Sequence, residues 1–318
     1  MTISWVALAA LAVALAWPVP ILLARAAWPA RAPGIALVVW QAIALTGGLS
    51  MIGALLTYGL QPFGQNLVDG LQSLSRSLLD GSLPRTAEFS QMFALSGAIL
   101  LGIHLLLNLA TTFVRAERSR RRHRQLVTLL STPMPERPDT RLLDHEAPVA
   151  YCLPGTTRSV TVLSAGLIAI LDENQLRAVI AHERAHATQR HHLVLLAFRA
   201  WRGSLPWFPI ATRAHQAVAI LVEMLADDQA RRVVSDDTLA RSIAIVASES
   251  PEAANARALT PDGSSTLAAD GAAASRRIAR LVDDVKPLSI SARAFAVASA
   301  VALLLVPTAF LLSPAVLT

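Results

Sequence analysis

Two histidines and a glutamate, in His182-Glu183-Arg184-Ala185-His186, are the residues of this chain best spaced to do chemistry. On a helix a four-residue separation turns about 400°, so both imidazoles leave one face about one turn apart and can grip a single zinc ion. Glu183 stands beside them as the base for a bound water. A catalytic zinc takes three protein ligands and keeps a fourth position open, so a third donor has to come from elsewhere. Glu223 is the candidate, 37 residues after His186 in Glu223-Met-Leu-Ala-Asp227. The spacing puts Asp227 on the same helix face, where its carboxylate can orient a ligand histidine through the other ring N–H. Taken alone, two acids on one face also suit a solvated amphipathic helix. Beside a helix that lacks a third zinc donor, the ligand reading is the better one. On a continuous helix His191 and His192 lie about 180° and 80° round from His182, and His215 is off the Glu223 face. All three are read as surface or packing residues. Tyr151, His215 and Arg231 are the candidates for an additional oxyanion donor.

The elements that must carry these residues can be read from caps and breakers. Pro148–Gly155 and Ser159–Leu163 form short strands. Asp172 with Gln175 three residues on makes a capping box for a helix from Glu173, which runs to Arg202 before Gly203, Pro206 and Pro209 stop it. A second helix starts near Pro209 and reaches about Val234, and Ser235-Asp236-Asp237 opens a third. Pro251–Ala274, rich in Ala, Ser, Gly and Asp, reads as a mobile loop before a short helix over Ser275–Val282.

The remainder of the chain is more apolar than a soluble domain allows. Of 318 residues 53% are hydrophobic and 16% charged, against about 25% charged in typical domains. Long uncharged runs predict three helices crossing a membrane at about 3–24, 35–59 and 90–114, and a fourth within 289–318. The first lacks the basic start of a signal peptide. Arg115–Arg124 holds six Arg and one Glu, a large part of the net charge of +6. Because the block follows an apolar run, the positive-inside rule explains it and no direct nucleic-acid partner is expected. With Arg25 and Arg31 it places residues 115–288 in the cytoplasm, and segment 61–89 and both termini outside. Leu67, Leu71, Leu74, Leu78 and Leu79 predict an amphipathic helix on the membrane surface within that outer segment. His104 and Asn108, four apart in the third span, are either an intramembrane polar site or hydrogen-bond partners of a neighbouring helix. The single cysteine, Cys152, excludes an intrachain disulfide and a Cys-rich metal site.

Taken together, the H-E-x-x-H, the later Glu223 and Asp227, the Ala150-Tyr151 strand leading to Ser164-Ala-Gly-Leu-Ile168, and three early spans with one late span resemble the BlaR/MecR-type zinc metallopeptidases. These gluzincins of bacterial cell membranes carry a cytoplasmic peptidase domain between spans three and four. The chain is also similar to the membrane peptidases of the HtpX and Ste24 kind, which share H-E-x-x-H with a later E-x-x-x-D but arrange their spans differently. The resemblance implies a mainly α fold: a four-helix transmembrane bundle and an α-rich (α+β) zinc-metallopeptidase domain. It further implies that Zn²⁺ is the cofactor and a cytoplasmic protein the substrate, with a transcriptional repressor cleaved in signal transduction. Antibiotic-sensing members add a penicillin-binding domain with an S-x-x-K serine after the last span. Here the chain stops at Thr318 and has no S-x-x-K, so direct β-lactam acylation is not expected. A quality-control protease for membrane proteins and a non-enzymatic membrane transducer are the rival readings. Self-cleavage in Pro251–Ala274 is a further expectation.

Overall fold

Backbone amides in an uncharged run have no water to bond in a bilayer, so such runs fold as helices that satisfy themselves. The computed structural model describes residues 2–82, 87–153, 160–205, 209–249, 263–283 and 286–316. Among the described residues the fold is mainly α, with one small sheet, and four helical stretches are long and apolar enough to cross a membrane: Ile3–Arg25, Pro33–Gly59, Phe89–Leu130 and Ile290–Leu311. The chain divides into two compact units, Met1–Thr111 with Phe198–Ala217 and Leu288–Thr318, and Thr112–Ala197 with Val218–Pro287.

The first unit holds α1 (Thr2–Ala16), α2 (Pro18–Arg25), α3 (Trp28–Arg31), α4 (Pro33–Gly59), α5 (Leu67–Leu79), the start of α6 (Phe89–Leu130), and the last helix, Ile290–Val316. Pro18, which has no N–H to donate, separates α1 from α2 within the first apolar run. Trp40 and Ile43 of α4 are fully buried, and the Thr46 hydroxyl donates to the Leu303 carbonyl at 2.9 Å, so the polar group is satisfied inside the bundle. At Gly59 a Cβ would come within 2.9 Å of the Gln91 carbonyl and the Leu95 backbone nitrogen, so glycine permits the close crossing of α4 and α6. The expected amphipathic helix is α5, capped by Asn66, whose side chain accepts from the Asp69 N–H at 2.8 Å. Leu67 and Leu74 pack inward on Leu60, Phe63 and Leu95, leaving Leu71, Leu78 and Leu79 exposed. His104 and Asn108 serve a neighbouring helix: Asn108 Nδ2 donates to the Ala200 carbonyl and Ser204 Oγ at 2.6 and 2.7 Å, and His104 Nε2 lies 3.2 Å from the Ser204 carbonyl. The helix that carries the third apolar run does not stop at Val114. It continues through the arginine block to Leu130, because arginine is a good helix former, Glu117 and Arg121 pair one turn apart, and no Gly or Pro intervenes.

The second unit contains a four-stranded sheet of order β1-β2-β4-β3, from β1 (Ser131–Met134), β2 (Arg137–Leu143), β3 (Ala150–Leu153) and β4 (Val160–Ser164). β4 runs parallel to β2 and antiparallel to the edge strand β3. Only β3 and β4 were expected; β1 and β2 are short and carry prolines and charges, so no apolar alternation marks them. Ser164 Oγ accepts from both Val149 N–H (2.9 Å) and Leu167 N–H (3.1 Å), joining the sheet to the cap of α7 (Ala165–Ile170). In α8 (Glu173–Thr188) the capping box is formed: Asp172 accepts from the Asn174 and Gln175 N–H groups at 2.8 and 2.9 Å, and Gln175 accepts from Asp172 N–H at 3.0 Å.

Contrary to the expected run to Arg202, α8 ends at Thr188 and α9 (His191–Ser204) begins after Arg190, whose φ of +52° turns the chain. Neither Gly nor Pro stands there, so nothing in the pattern announced a left-handed residue. α10 (Pro209–Ala230) starts as read but ends one turn before Val234, and α11 (Asp236–Ser248, capped by Ser235) opens where expected. α12 starts at Gly263 and reaches Val282, so the whole described part of the expected loop is helical; its Ala-rich composition favours helix, and residues 250–262 lie outside the described residues. Two apolar clusters fix α8. Leu163, Leu167, Leu171, Leu176 and Ile180 join it to the sheet and α7, while Ala178, Ala230, Leu239, Ala240 and Leu281 join it to α10, α11 and α12. The closing helix of the first unit is α13 (Ile290–Val316).

Candidate metal centre

The buried stripe of α8 runs Ala178, His182, Ala185, and that of α10 runs Val222, Ala226, Asp227, Ala230, so packing alone turns His182 and Asp227 inward. Glu223, one turn before Asp227, shares its face. His182 is 8% exposed and Asp227 1%. The two ligand-type nitrogens, His182 Nε2 and His186 Nε2, lie 3.1 Å apart. Glu223 closes the triangle, with Oε2 3.3 Å from His182 Nε2 and Oε1 3.5 Å from His186 Nε2. A tetrahedral shell with bonds of about 2.0–2.1 Å has ligand atoms about 3.3–3.4 Å apart, close to the 3.1 Å between the two nitrogens and the 3.3 Å from His182 Nε2 to Glu223 Oε2. Two imidazoles and one carboxylate are also a donor set that a catalytic zinc accepts. His182, His186 and Glu223 could therefore hold a metal ion.

Each donor has an outer partner. His182 Nδ1 donates to Asp227 Oδ1 at 3.0 Å, which turns Nε2 towards the centre. Asp227 is in turn clamped by Arg277 of α12, whose Nε lies 2.8 Å from Oδ2 and Nη2 2.7 Å from Oδ1. Arg277 Nη1 also reaches Glu223 Oε2 at 3.0 Å. No motif marked Arg277 in the sequence. The available signal was weak: Leu281, one turn on, belongs to the core, so the same face of α12 looks inward.

The electrostatics follow from burial opposed by these contacts. Burial disfavours charged Glu223 and Asp227, but bonds to His182 and Arg277 outweigh it and hold both at about 2. Burial likewise opposes charge on His182, yet Asp227 and Glu223 raise it to about 9, whereas His186, desolvated without such an anion bonded to it, falls to about 4. Glu183 is pushed up to about 7 by burial, against the pull of His182 and a hydrogen bond from the Cys152 backbone N–H. The pocket thus keeps two carboxylates ionised around a point that favours positive charge.

The remaining histidines and the oxyanion candidates fall out differently. His191, expected at the surface or in packing and away from the ligand face, is 2% exposed and lies with Nδ1 3.1 Å from His186 Nδ1. The turn at Arg190 breaks the helical angle on which that expectation rested. His192 is only half-buried. Arg231 is held by both oxygens of Asp236, so its guanidinium is committed elsewhere. Tyr151, on β3, sets its ring 5.1 Å from that of His123. His215 belongs to the other compact unit, and its Nδ1 is buried with no hydrogen-bond partner among the described residues.

A buried His–His–Glu donor set on an H-E-x-x-H helix, in a chain with four apolar helices of membrane-spanning length, supports a membrane-associated metallopeptidase. Comparison of the sequence with family models agrees: residues 114–258, somewhat under half of the chain, match peptidase family M48, whose peptidases are metal-dependent. The match spans His182 to Asp227 and stops short of Arg277. No curated protein and no solved structure matches the chain.

Proposed function

We propose that this protein is an integral-membrane, zinc-dependent endopeptidase with Glu183 as its base. The observation that carries the reading is the triangle of His182 Nε2, His186 Nε2 and Glu223, with sides of 3.1 to 3.5 Å. His182, His186 and Glu223 would hold zinc, which when bound polarises a scissile carbonyl and acidifies a water. Glu183 follows the ligand His182 directly in the chain. Its carboxylate, raised by burial to about 7, can take the proton of that water and pass it to the leaving amine. The Cys152 N–H steadies it. Asp227 and Arg277 keep His182 turned and Glu223 ionised. An extended substrate would pair along β3, which lies against α8 and is an edge of the sheet.

The proposed substrate is a cytoplasmic protein, with a transcriptional repressor as the first candidate. The repressor rests on the resemblance to the BlaR/MecR type, and the cytoplasmic side rests on the arginines after the third span. A signal would then reach the zinc site through the spans, and the 251–274 segment is a candidate for self-cleavage. Zinc stoichiometry of the purified protein separates an enzyme from a non-enzymatic transducer. New protein N-termini compared between wild-type and Glu183→Gln cells identify the substrate. Loss of a regulator's fragment in the mutant supports the proposal, and loss of membrane-protein fragments alone replaces it with quality control.

A further inference from the structure

We infer that His191 is the positioning residue for the metal ligand His186, holding its ring through a hydrogen bond between the two Nδ1 atoms. This rests on the metallopeptidase reading above. Hydrogens are passed along a row of three side chains, His186, His191 and Gln189. His186 Nε2 points at His182 Nε2 and Glu223, so a cation can bind only if that nitrogen carries no hydrogen. The neutral ring then carries its hydrogen on Nδ1, which faces His191 Nδ1 at 3.1 Å. His191 must accept there, which puts its own hydrogen on Nε2. That N–H meets an acceptor, Gln189 Oε1, at 2.9 Å. Every donor in the chain thus finds an acceptor, and Nε2 of His186 is left bare on the side of Glu223.

His191 does for His186 what Asp227 does for His182, with a neutral imidazole in place of an anion. The difference suits a pocket in which Glu183, Glu223 and Asp227 already gather three carboxylates around one arginine. The backbone is arranged for it. His191 would lie half a turn away on a continuous α8, and the left-handed Arg190 is what swings it back to the ligand. A burial of 98% excludes an incidental surface contact, its relative exposure being 2%.

The test uses the full-length protein purified in detergent, comparing wild type with His191→Leu, His191→Asn and Gln189→Leu. Zinc affinity is measured by chelator competition, and the geometry of the site by the visible absorption of the Co²⁺-loaded protein. His191→Leu cannot accept from His186 and should weaken zinc roughly 10- to 100-fold and alter the cobalt spectrum. His191→Asn offers Oδ1 as an acceptor and should restore affinity to within a few-fold, with the cobalt bands near those of wild type. Gln189→Leu should weaken zinc less than His191→Leu does. The inference is overturned if all three variants bind like wild type, or if Asn is as impaired as Leu while the metal-free thermal midpoint is unchanged. Should the Leu variant fail to fold, Asn and Gln189→Leu still decide between affinity near wild type with a graded loss, which supports the inference, and no change at all or equal collapse, which sinks it. A wild-type protein that binds no zinc would overturn the metallopeptidase reading itself, and this inference with it.

Discussion

Glu183 and Glu223 are the same residue type placed so that one can hold a metal and the other move a proton. Glu223 is kept ionised by His182 and Arg277, whereas Glu183, desolvated and facing a backbone N–H, stays close to neutrality in its proton affinity. Glu183→Gln should therefore abolish peptide hydrolysis and leave stoichiometric zinc in place. Glu223→Ala should lose the zinc, and Asp227→Ala should weaken it by roughly 10- to 100-fold. Metal analysis and a peptide-cleavage assay on the same preparations check all three. Tight zinc and full activity in Glu223→Ala would mean that another residue is the third ligand. Arg277 makes a different demand. Removing its charge by Arg277→Met leaves Asp227 buried without its clamp, a change of the kind that costs about 3–5 kcal/mol, so the metal-free protein should unfold several degrees lower. Arg277→Lys should rescue only part, since an ammonium cannot form the bidentate contact.

At the scale of elements, the site depends on how α8 begins and ends. Its start is conventional, and Asp172→Ala should cost about 0.5–2 kcal/mol in thermal unfolding, because two N–H groups lose their acceptor. Its end is not. Arg190 holds a backbone conformation that costs an L-residue about 1–2 kcal/mol relative to glycine, so Arg190→Gly should raise the unfolding midpoint or leave it unchanged while keeping zinc affinity. A marked fall in either would mean that the Arg190 side chain, not the turn, matters. The capping box was legible because it is written in residue types three apart. The turn was not, because a left-handed arginine carries no local signature. Gly166 is a comparable case: a Cβ there would run into the Glu146 carbonyl, a constraint no reading of Ser-Ala-Gly-Leu-Ile could supply.

For the whole molecule the arginines make the strongest claim. Reporter fusions after residue 130 or 285 should report cytoplasm, and fusions at residue 75 or at the C-terminus should report the exterior. An exterior signal at residue 130 would invert the proposed orientation and put the candidate metal centre outside. The continuous α6 matters here, because one helix of 42 residues contains both the third apolar run and the arginine block. The side of the membrane on which residue 130 lies therefore follows from where the charge boundary on that helix sits.

The sequence by itself determined what depends on local order. The H-E-x-x-H face, the E-x-x-x-D face, the capping box and the apolar spans follow from helical period, residue chemistry and charge, all of which act within a few turns. Only the tertiary structure decided which distant faces meet. It brought Glu223 within 3.5 Å of both histidines, delivered Arg277 from the distant helix expected over Ser275–Val282, and turned His191 from the wrong side of a helix onto His186. The contacts of Glu223 and Arg277 join residues up to 54 positions apart (277 − 223) and come with the core packing of α8, α10 and α12. Their physical origin is burial of apolar faces, which sums over the whole unit and leaves no mark at any single position.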